Sequence, residues 1–91
     1  MRLEISFDPA KDVLNQAKHS TSLAEAEHLV WDEALIREDR RKAYGETLII
    51  AIAPIGRRLF VVVYTDREAY RRIISLRKAN DREIKAYIAH F

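Results

Sequence analysis

The stretch ETLIIAIAPIGRRLFVVVYTDREAYRRIISLRKA, residues 46–79, predicts three consecutive β-strands joined by two short turns. Its apolar runs are rich in β-branched and aromatic residues, which favour strands. The PIG segment at 54–56 and the polar run at 65–69 interrupt these runs as hairpin turns do. Because the connections are short, neighbouring strands should run antiparallel. The three predicted strands span residues 46–55, 58–65 and 69–79.

The segment before these strands predicts two short helices. Asp8 followed by Pro9 is a helix-start signal, because an aspartate caps the first turn and proline fits the first helical position. That helix should end near His19. Its predicted apolar stripe, which recurs at helical spacing, is Ala10, Val13, Leu14 and Ala17. Ser22 with Glu25 three residues later forms a capping-box pattern, which opens the second helix.

A further strand and a closing helix complete the predicted fold. ALIRED at 34–39 reads as the first strand of a four-stranded meander, and the alternating LEISF at 3–7 reads as a short strand. Asn80 with Glu83 caps a final helix. The predicted buried face of that helix is Ile84, Tyr87, Ile88 and Phe91. The expected fold is therefore α+β, with two N-terminal helices, a four-stranded antiparallel sheet and a C-terminal helix in one domain over residues 1–91.

The charge of the chain is unevenly distributed. Residues 1–36 carry 3 basic and 7 acidic side chains, whereas residues 37–91 carry 13 basic and 7 acidic ones. The basic part contains the predicted meander, which favours a sheet surface that binds phosphates, although a solvated basic face is the plain alternative. The N-terminus has no apolar signal segment, and the longest apolar run is too short to cross a bilayer. We therefore expect a cytoplasmic protein.

Several kinds of site are excluded by the residue types present. The chain has no cysteine, and its histidines at 19, 28 and 90 form no close pair, which argues against a zinc site. The only glycines, at 45 and 56, fit no nucleotide-binding motif, so no cofactor is expected. The remaining acid/base candidates are Lys18, His19, Tyr44 and Glu46. With abundant arginine, this set fits metal-independent RNA cleavage, in which the 2′-hydroxyl of the substrate is the nucleophile.

The last predicted strand carries the candidate phosphate-binding group, Arg77. Strict alternation places Arg77 and Leu76 on opposite faces and puts Arg72 on the face of Leu76. A site shared by both arginines therefore requires that the strand begin after Arg72 or that a bulge re-aim its side chain. The alternative role for Arg77 is a structural ion pair with Glu46 or Asp66.

Six motifs are distributed over nearly the whole chain: FDPAK at 7–11, KH at 18–19, SLAEAEHLVWDE at 22–33, YGE at 44–46, RL.VVVYTDR at 58–67 and RIISLRKAN.RE...Y at 72–87. Together they resemble the BrnT family, the toxin half of a bacterial type II toxin–antitoxin pair. The resemblance implies a RelE-like fold, RNA cleavage, and silencing by an antitoxin (BrnA-like) whose DNA-binding part is ribbon-helix-helix and with which the toxin represses its own operon. The family pattern points to Lys18, His19, Glu46, Arg72, Ser75 and Arg77 as site residues.

The chain departs from the family pattern at two positions. Ala43 stands where an acidic residue is usual, and Thr47 stands where an arginine is common. Other basic residues are expected to hold the RNA in place of that arginine, and tyrosine rings to stack on its bases unless they pack within the sheet. The predicted RNA-binding residues are Arg41, Tyr44, Arg57, Arg58, Tyr64, Ser75 and Lys78.

Alternative explanations remain for the same residues. Lys18 and His19 at a helix end also interact favourably with the helix dipole, by about 0.3 to 1 kcal/mol each. The leading hypothesis is an endoribonuclease toxin that acts without a metal. A second hypothesis is a weakly catalytic or non-catalytic module that acts as a co-repressor with its antitoxin. A third is a basic nucleic-acid-binding domain unrelated to toxicity.

Overall fold

The computed structural model describes residues 3–43 and 46–91, with only the backbone at 38–43. In chain order the elements are β1 (Ile5–Ser6), α1 (Pro9–His19), a first 3₁₀ helix (Leu23–His28), a second 3₁₀ helix (Trp31–Glu33), β2 (Leu35–Ala43), β3 (Glu46–Ile55), β4 (Arg58–Asp66), β5 (Arg71–Lys78) and α2 (Asp81–His90). Within the described ranges, no helix is long and apolar enough to span a membrane.

The strands form one five-stranded mixed sheet in the order β1-β5-β4-β3-β2. β2 to β5 make the predicted antiparallel meander, which confirms the α+β class. The prediction of a sheet with only four antiparallel strands is wrong, because β1 also joins it and runs parallel to β5, with Ile5 opposite Arg71. A pairing of two residues with a strand far along the chain leaves no periodic signal in the sequence that would show its direction.

The predicted second helix is 3₁₀ rather than α-helical, and a second 3₁₀ turn follows it. The N–H of Glu25 donates to the carbonyl of Ser22, three residues back, at 3.1 Å. Leu23, Ala26 and Leu29 are all buried. Their spacing of three residues matches the period of a 3₁₀ helix, in which such side chains lie above one another. Burial of these three side chains in one row therefore favours a 3₁₀ helix over an α-helix.

Helix α1 has the predicted ends but not the predicted buried face. The carboxylate of Asp8 accepts a hydrogen bond from the N–H of Ala10 at 2.9 Å, and Ser20 ends the helix in the left-handed conformation. Val13 and Leu14 are 66% and 69% exposed, whereas Asn15 is buried. The apolar stripe thus faces outward, because the helix is anchored through a polar side chain instead.

The hydrophobic core lies between the first 3₁₀ helix and one face of the sheet, here called the core face. Its buried residues are Leu23, Ala26, Leu29, Ala51, Ala53, Val62, Tyr64, Ile73 and Leu76. Alternation along the strands places every second side chain on the other face, here called the open face. The candidate functional residues are divided between these two faces.

Helix α2 begins with the predicted capping box. The side chain of Asn80 accepts from the N–H of Glu83 at 2.9 Å, and the Glu83 carboxylate accepts from the N–H of Asn80 at 2.8 Å. The hydroxyl of Tyr87 donates to a carbonyl of the second 3₁₀ helix at 2.6 Å. The predicted buried face is only partly confirmed, because Ile88 and Phe91 are each 66% exposed.

Candidate RNA-cleavage site

A β-bulge in β5 decides which side chains share a face. Val63 on β4 lies opposite Ser75, whereas the next β4 residue, Tyr64, lies opposite Ile73. Ile74 therefore has no partner on β4. One extra residue inserted into a strand shifts the alternation of everything beyond it. Of the two predicted alternatives, the bulge is present, at Ile74, whereas the strand does not begin after Arg72, because β5 starts at Arg71.

The bulge brings both arginines to the open face. Arg72 lies opposite Thr65, and Arg77 lies opposite Val61. Those two β4 residues are an even number of positions apart, so the β5 residues that they face point to the same side of the sheet. Ser75, opposite a β4 residue of the same set, points there as well. The conflict between Arg72 and Arg77 under strict alternation is resolved in this way.

Asn15 holds α1 against β5. Its side-chain amide donates to the carbonyl of Leu76 at 2.8 Å and to the carbonyl of Thr21 at 2.8 Å, and its Oδ1 accepts from the N–H of Leu76 at 3.3 Å. The side chain therefore pairs with the free edge of β5 much as another strand would. The sequence analysis missed this residue, although an asparagine inside a helix, where its propensity is low, is a signal that its side chain has a specific partner.

This anchor places the end of α1 beside the bulge. The surface there is hollowed into a depression lined by Lys11, Leu14, Asn15, Lys18, His19, Ile74 and Ser75. A second hollow adjoins it and is lined by Asp8, Lys11, Glu46, Leu48, Arg67, Arg72 and Ile74. Because the two hollows share Lys11 and Ile74, we treat them as one feature, the site depression. It brings together five predicted site residues: Lys18, His19, Glu46, Arg72 and Ser75.

The charges in the site depression are mostly uncompensated. Glu46 is paired with Arg67 at 2.5 Å. Within the part of the chain that the structure describes, the side chains of Lys18, His19 and Arg72 form no hydrogen bond or ion pair. Cations without a protein partner are available to an anionic ligand. In the same described part, no three His, Asp or Glu side chains are grouped as metal ligands would be.

Arg77 lies on the open face beside α2 and is held there by Glu83. Two guanidinium nitrogens donate to the two carboxylate oxygens at 2.8 and 2.7 Å. These hydrogen bonds are the main reason that the pKa of Glu83 is lowered from its usual value and that of Arg77 is raised. The expected alternative partners, Glu46 and Asp66, are wrong, because they pair with Arg67 and with another arginine of β5.

Tyr64 lies on the core face, which corrects its predicted role as a base-stacking residue. Its side chain is only 1% exposed, and burial raises the pKa of its hydroxyl. Trp31 packs edge-on against the ring with centroids 5.3 Å apart, and the guanidinium of Arg71 lies 4.2 Å from the ring centroid. The ring is thus packed inside the protein, and no RNA base can reach it.

The other predicted RNA-binding residues lie away from the site depression or outside the described residues. Arg57, Arg58 and Lys78 line a groove beside α2, near the opposite ends of the strands. The side chain of Arg41 and the whole of Tyr44 lie outside the described residues. Of the predicted RNA-binding residues whose side chains the structure describes, only Ser75 lines the site depression.

Comparison with known families gives a match over most of the chain. A family model described as the ribonuclease toxin BrnT of a type II toxin–antitoxin system matches residues 7–83, which include every residue of the site depression. No curated protein matches the chain.

Proposed function

Because the chain belongs to the BrnT family of type II ribonuclease toxins, we propose that it cleaves RNA without a metal ion, in the site depression between α1 and β5. The observation that carries this proposal is the convergence of residues distant in sequence on one hollow. Lys18 and His19 come from the end of α1, Glu46 from the start of β3, and Arg72 from the start of β5. A hollow lined by donors, an acceptor and unpaired cations suits a phosphodiester.

The proposed reaction uses the 2′-hydroxyl of the RNA as nucleophile. A general base removes its proton, the oxygen attacks the adjacent phosphorus, and the bond to the 5′-oxygen of the next nucleotide breaks. A general acid protonates that leaving oxygen, so the products carry a 2′,3′-cyclic phosphate and a 5′-hydroxyl. Because the substrate supplies the nucleophile, the protein has to position the strand, transfer two protons and stabilise the phosphate charge.

The site depression offers a group for each of these tasks. Glu46 is the acceptor suited to removing the proton, and His19, at the far end of the depression, is the donor suited to the leaving oxygen. Lys18 and Arg72 are the cations beside the position of the phosphate. Proton transfer by a positioned group contributes roughly 100- to 10,000-fold to a rate, so loss of either partner should be readily measurable.

Arg77 is proposed to contact the RNA backbone next to the cleaved bond. It shares the open face with Arg72 and Ser75. Its pair with Glu83 uses two guanidinium nitrogens and leaves further N–H groups for a phosphate. The pair also fixes the orientation of the guanidinium, which lowers the entropy lost on binding.

The cellular role proposed for the chain follows from its family. Type II toxins are neutralised by a protein antitoxin, here proposed to carry a ribbon-helix-helix DNA-binding part, and the complex is proposed to repress its own operon. RNA cleavage in the cytoplasm would then stop translation whenever the antitoxin is lost. A RelE-like fold is part of the same proposal.

The test is RNA cleavage by the purified protein in the presence and absence of EDTA, compared with His19→Gln and His28→Gln. His28 is a matched control, because it is an exposed histidine at the end of another helix. We expect cleavage that EDTA does not change, cyclic-phosphate ends, a loss of about 100-fold or more in His19→Gln, and normal activity in His28→Gln.

Each contrary result removes a different part of the proposal. Loss of cleavage in EDTA would refute the metal-independent mechanism. Normal activity in His19→Gln would refute the role of His19. No cleavage by the wild type, together with no growth arrest when it is expressed without its antitoxin, would leave the co-repressor hypothesis as the better account.

A further inference from the structure

A second concave surface, here called the basic groove, lies between the β3–β4 turn, the end of β5 and α2. It is lined by Arg57, Arg58, Leu59, Lys78, Ala79, Ile84 and Ile88. The three cations belong to the β3–β4 turn and to strands β4 and β5, and the aliphatic residues include two on α2. The groove therefore combines apolar and positively charged lining residues.

Among the described residues, the cations of the basic groove have no protein partner, and its apolar side chains are only partly covered. In the described residues, the side chains of Arg57, Arg58 and Lys78 form no hydrogen bond or ion pair. Ile88 is largely exposed, as is Phe91 three residues further along α2. The sequence pattern of α2 is that of a helix with a buried apolar face, yet half of that face is open to solvent. Exposed apolar residues grouped beside charges mark interaction surfaces.

We propose that the basic groove is where the antitoxin docks, through a segment that carries both apolar and acidic side chains. The inference rests on the proposed function, because a type II toxin requires a protein partner. Charge complementarity identifies the segment: carboxylates would pair with the three cations, while aliphatic or aromatic side chains would cover Ile84 and Ile88.

The composition and place of the basic groove favour a protein over RNA as its ligand. A phosphate backbone is held by cations and hydrogen-bond donors and gains nothing from exposed isoleucine. On β5, Lys78 lies opposite Phe60, whereas Arg72 in the site depression lies opposite Thr65. Five residues along a strand correspond to about 17 Å. The antitoxin segment can therefore dock without entering the site depression.

Helix α2 connects the basic groove to the open face. Ile84 and Ile88 line the groove, and Glu83, the residue before Ile84, holds Arg77 on the open face. A segment bound in the groove would thus contact the same helix turn that orients a proposed RNA-binding arginine. An antitoxin bound in the groove would therefore lie beside the residue that orients Arg77 on the RNA-binding surface.

Another exposed apolar surface, on α1, fits this partner less well. Val13 is as exposed as Ile88 but lines neither the basic groove nor the site depression, whereas the equally exposed Leu14 belongs to the site depression. Acidic residues also lie near it, since Asp8 caps the helix and Asp12 is in its first turn. This surface is therefore the matched control for docking through exposed aliphatic side chains.

The test measures binding of the protein encoded by the neighbouring gene, by titration against the full toxin chain. The variants are Arg57→Glu with Arg58→Glu, and separately Ile88→Ser. The controls are Arg82→Glu with Lys85→Glu, which reverses two exposed charges of α2 outside the groove, and Val13→Ser, which removes an exposed aliphatic side chain of α1. We expect about 100-fold weaker binding for the first variant and about 10-fold for the second, with both controls within about threefold of wild type.

RNA cleavage by the isolated toxin separates this inference from the proposed function. Ile88→Ser should cleave RNA as the wild type does. If the groove variants bind the neighbouring protein as tightly as wild type, or if only the α1 variant loses binding, the docking inference is overturned while the ribonuclease proposal stands. If Arg57→Glu with Arg58→Glu lowers RNA cleavage but not complex formation, the groove is an RNA surface. If the wild type cleaves RNA but does not bind the protein encoded by the neighbouring gene, the docking inference is also overturned.

Discussion

The two faces of β5 use adjacent arginines in different ways. On the core face, Arg71 is fully engaged: it donates two hydrogen bonds to Asp66, at 2.6 and 3.1 Å, and its guanidinium lies 4.6 Å from the Trp31 ring and 4.2 Å from the Tyr64 ring. On the open face, the next residue, Arg72, makes no side-chain hydrogen bond or ion pair within the described residues.

The contrast shows that some cations of a basic sheet contribute to folding, whereas others remain available to a ligand. A cation stacked between aromatic rings and paired with a carboxylate contributes to folding. A cation left unpaired beside a hollow costs little in the folded protein and keeps its charge for a ligand. Arg77 lies between these cases, because Glu83 holds it in place but leaves part of its guanidinium accessible. Sequence alone does not distinguish these three arginines, whereas their partners do.

The largest effects are expected when each of the two neighbouring arginines, Arg71 and Arg72, is replaced by alanine. Arg72→Ala should lower RNA cleavage by about 100- to 1,000-fold, the usual cost of removing one donor to the transition state, and should change the free energy of unfolding by less than about 0.5 kcal/mol. Arg71→Ala should do the reverse, with about 1 to 3 kcal/mol of lost stability and normal turnover by the folded fraction. Cleavage kinetics and urea denaturation of both variants measure the two quantities.

The comparison fails if the two variants behave alike. Equal loss of activity in stable proteins would mean that Arg71 also reaches the RNA. A large loss of stability in Arg72→Ala would show that this side chain has a structural partner in solution.

The next effect concerns the Asn15 anchor, which holds α1 against the edge of β5. Asn15→Ala removes three hydrogen bonds and leaves the buried N–H and C=O of Leu76 without partners, which should cost about 2 to 3 kcal/mol. The control is Gln16→Ala, since Gln16 is exposed and bonds only to Asp12. Thermal or urea denaturation gives the difference. If both variants lose equally little, the Asn15 contacts do not anchor the helix.

The sequence predicted those parts of the fold that depend on neighbours along the chain. The caps at Asp8 and Asn80 and the bounds of β3 follow from local chemistry, and all are present. The bulge at Ile74 was one of two predicted ways to place both arginines on one face, because the alternation by itself contradicted a shared site. Local patterns therefore predicted most of the meander and its closing helix.

What the sequence did not predict depends on contacts made across the fold. The Asn15 anchor joins residues 61 positions apart, and it turned the apolar side of α1 outward. The pairing of β1 with β5 and the burial of Tyr64 likewise depend on which element arrives at each face. The partner of Arg77 was missed for another reason, since Glu83 was already assigned to the helix cap and serves both functions at once.

The smallest effect is expected from Glu83→Gln, and it depends on pH. The pKa of Glu83 is lowered from 4.5, chiefly by the hydrogen bonds from Arg77, so the folded protein favours the ionised form. The carboxylate therefore stabilises the protein above pH 4.5, and this contribution is lost as the pH falls through the lowered pKa. At neutral pH the Glu83→Gln variant should be less stable than wild type by about 1 kcal/mol, and this difference should vanish in acid. The control is Glu68→Gln, at an exposed turn residue, whose stability should differ little from wild type at any pH. Urea titrations between neutral pH and about pH 3 measure this, and a difference that persists unchanged in acid would show that the ion pair with Arg77 is not its source.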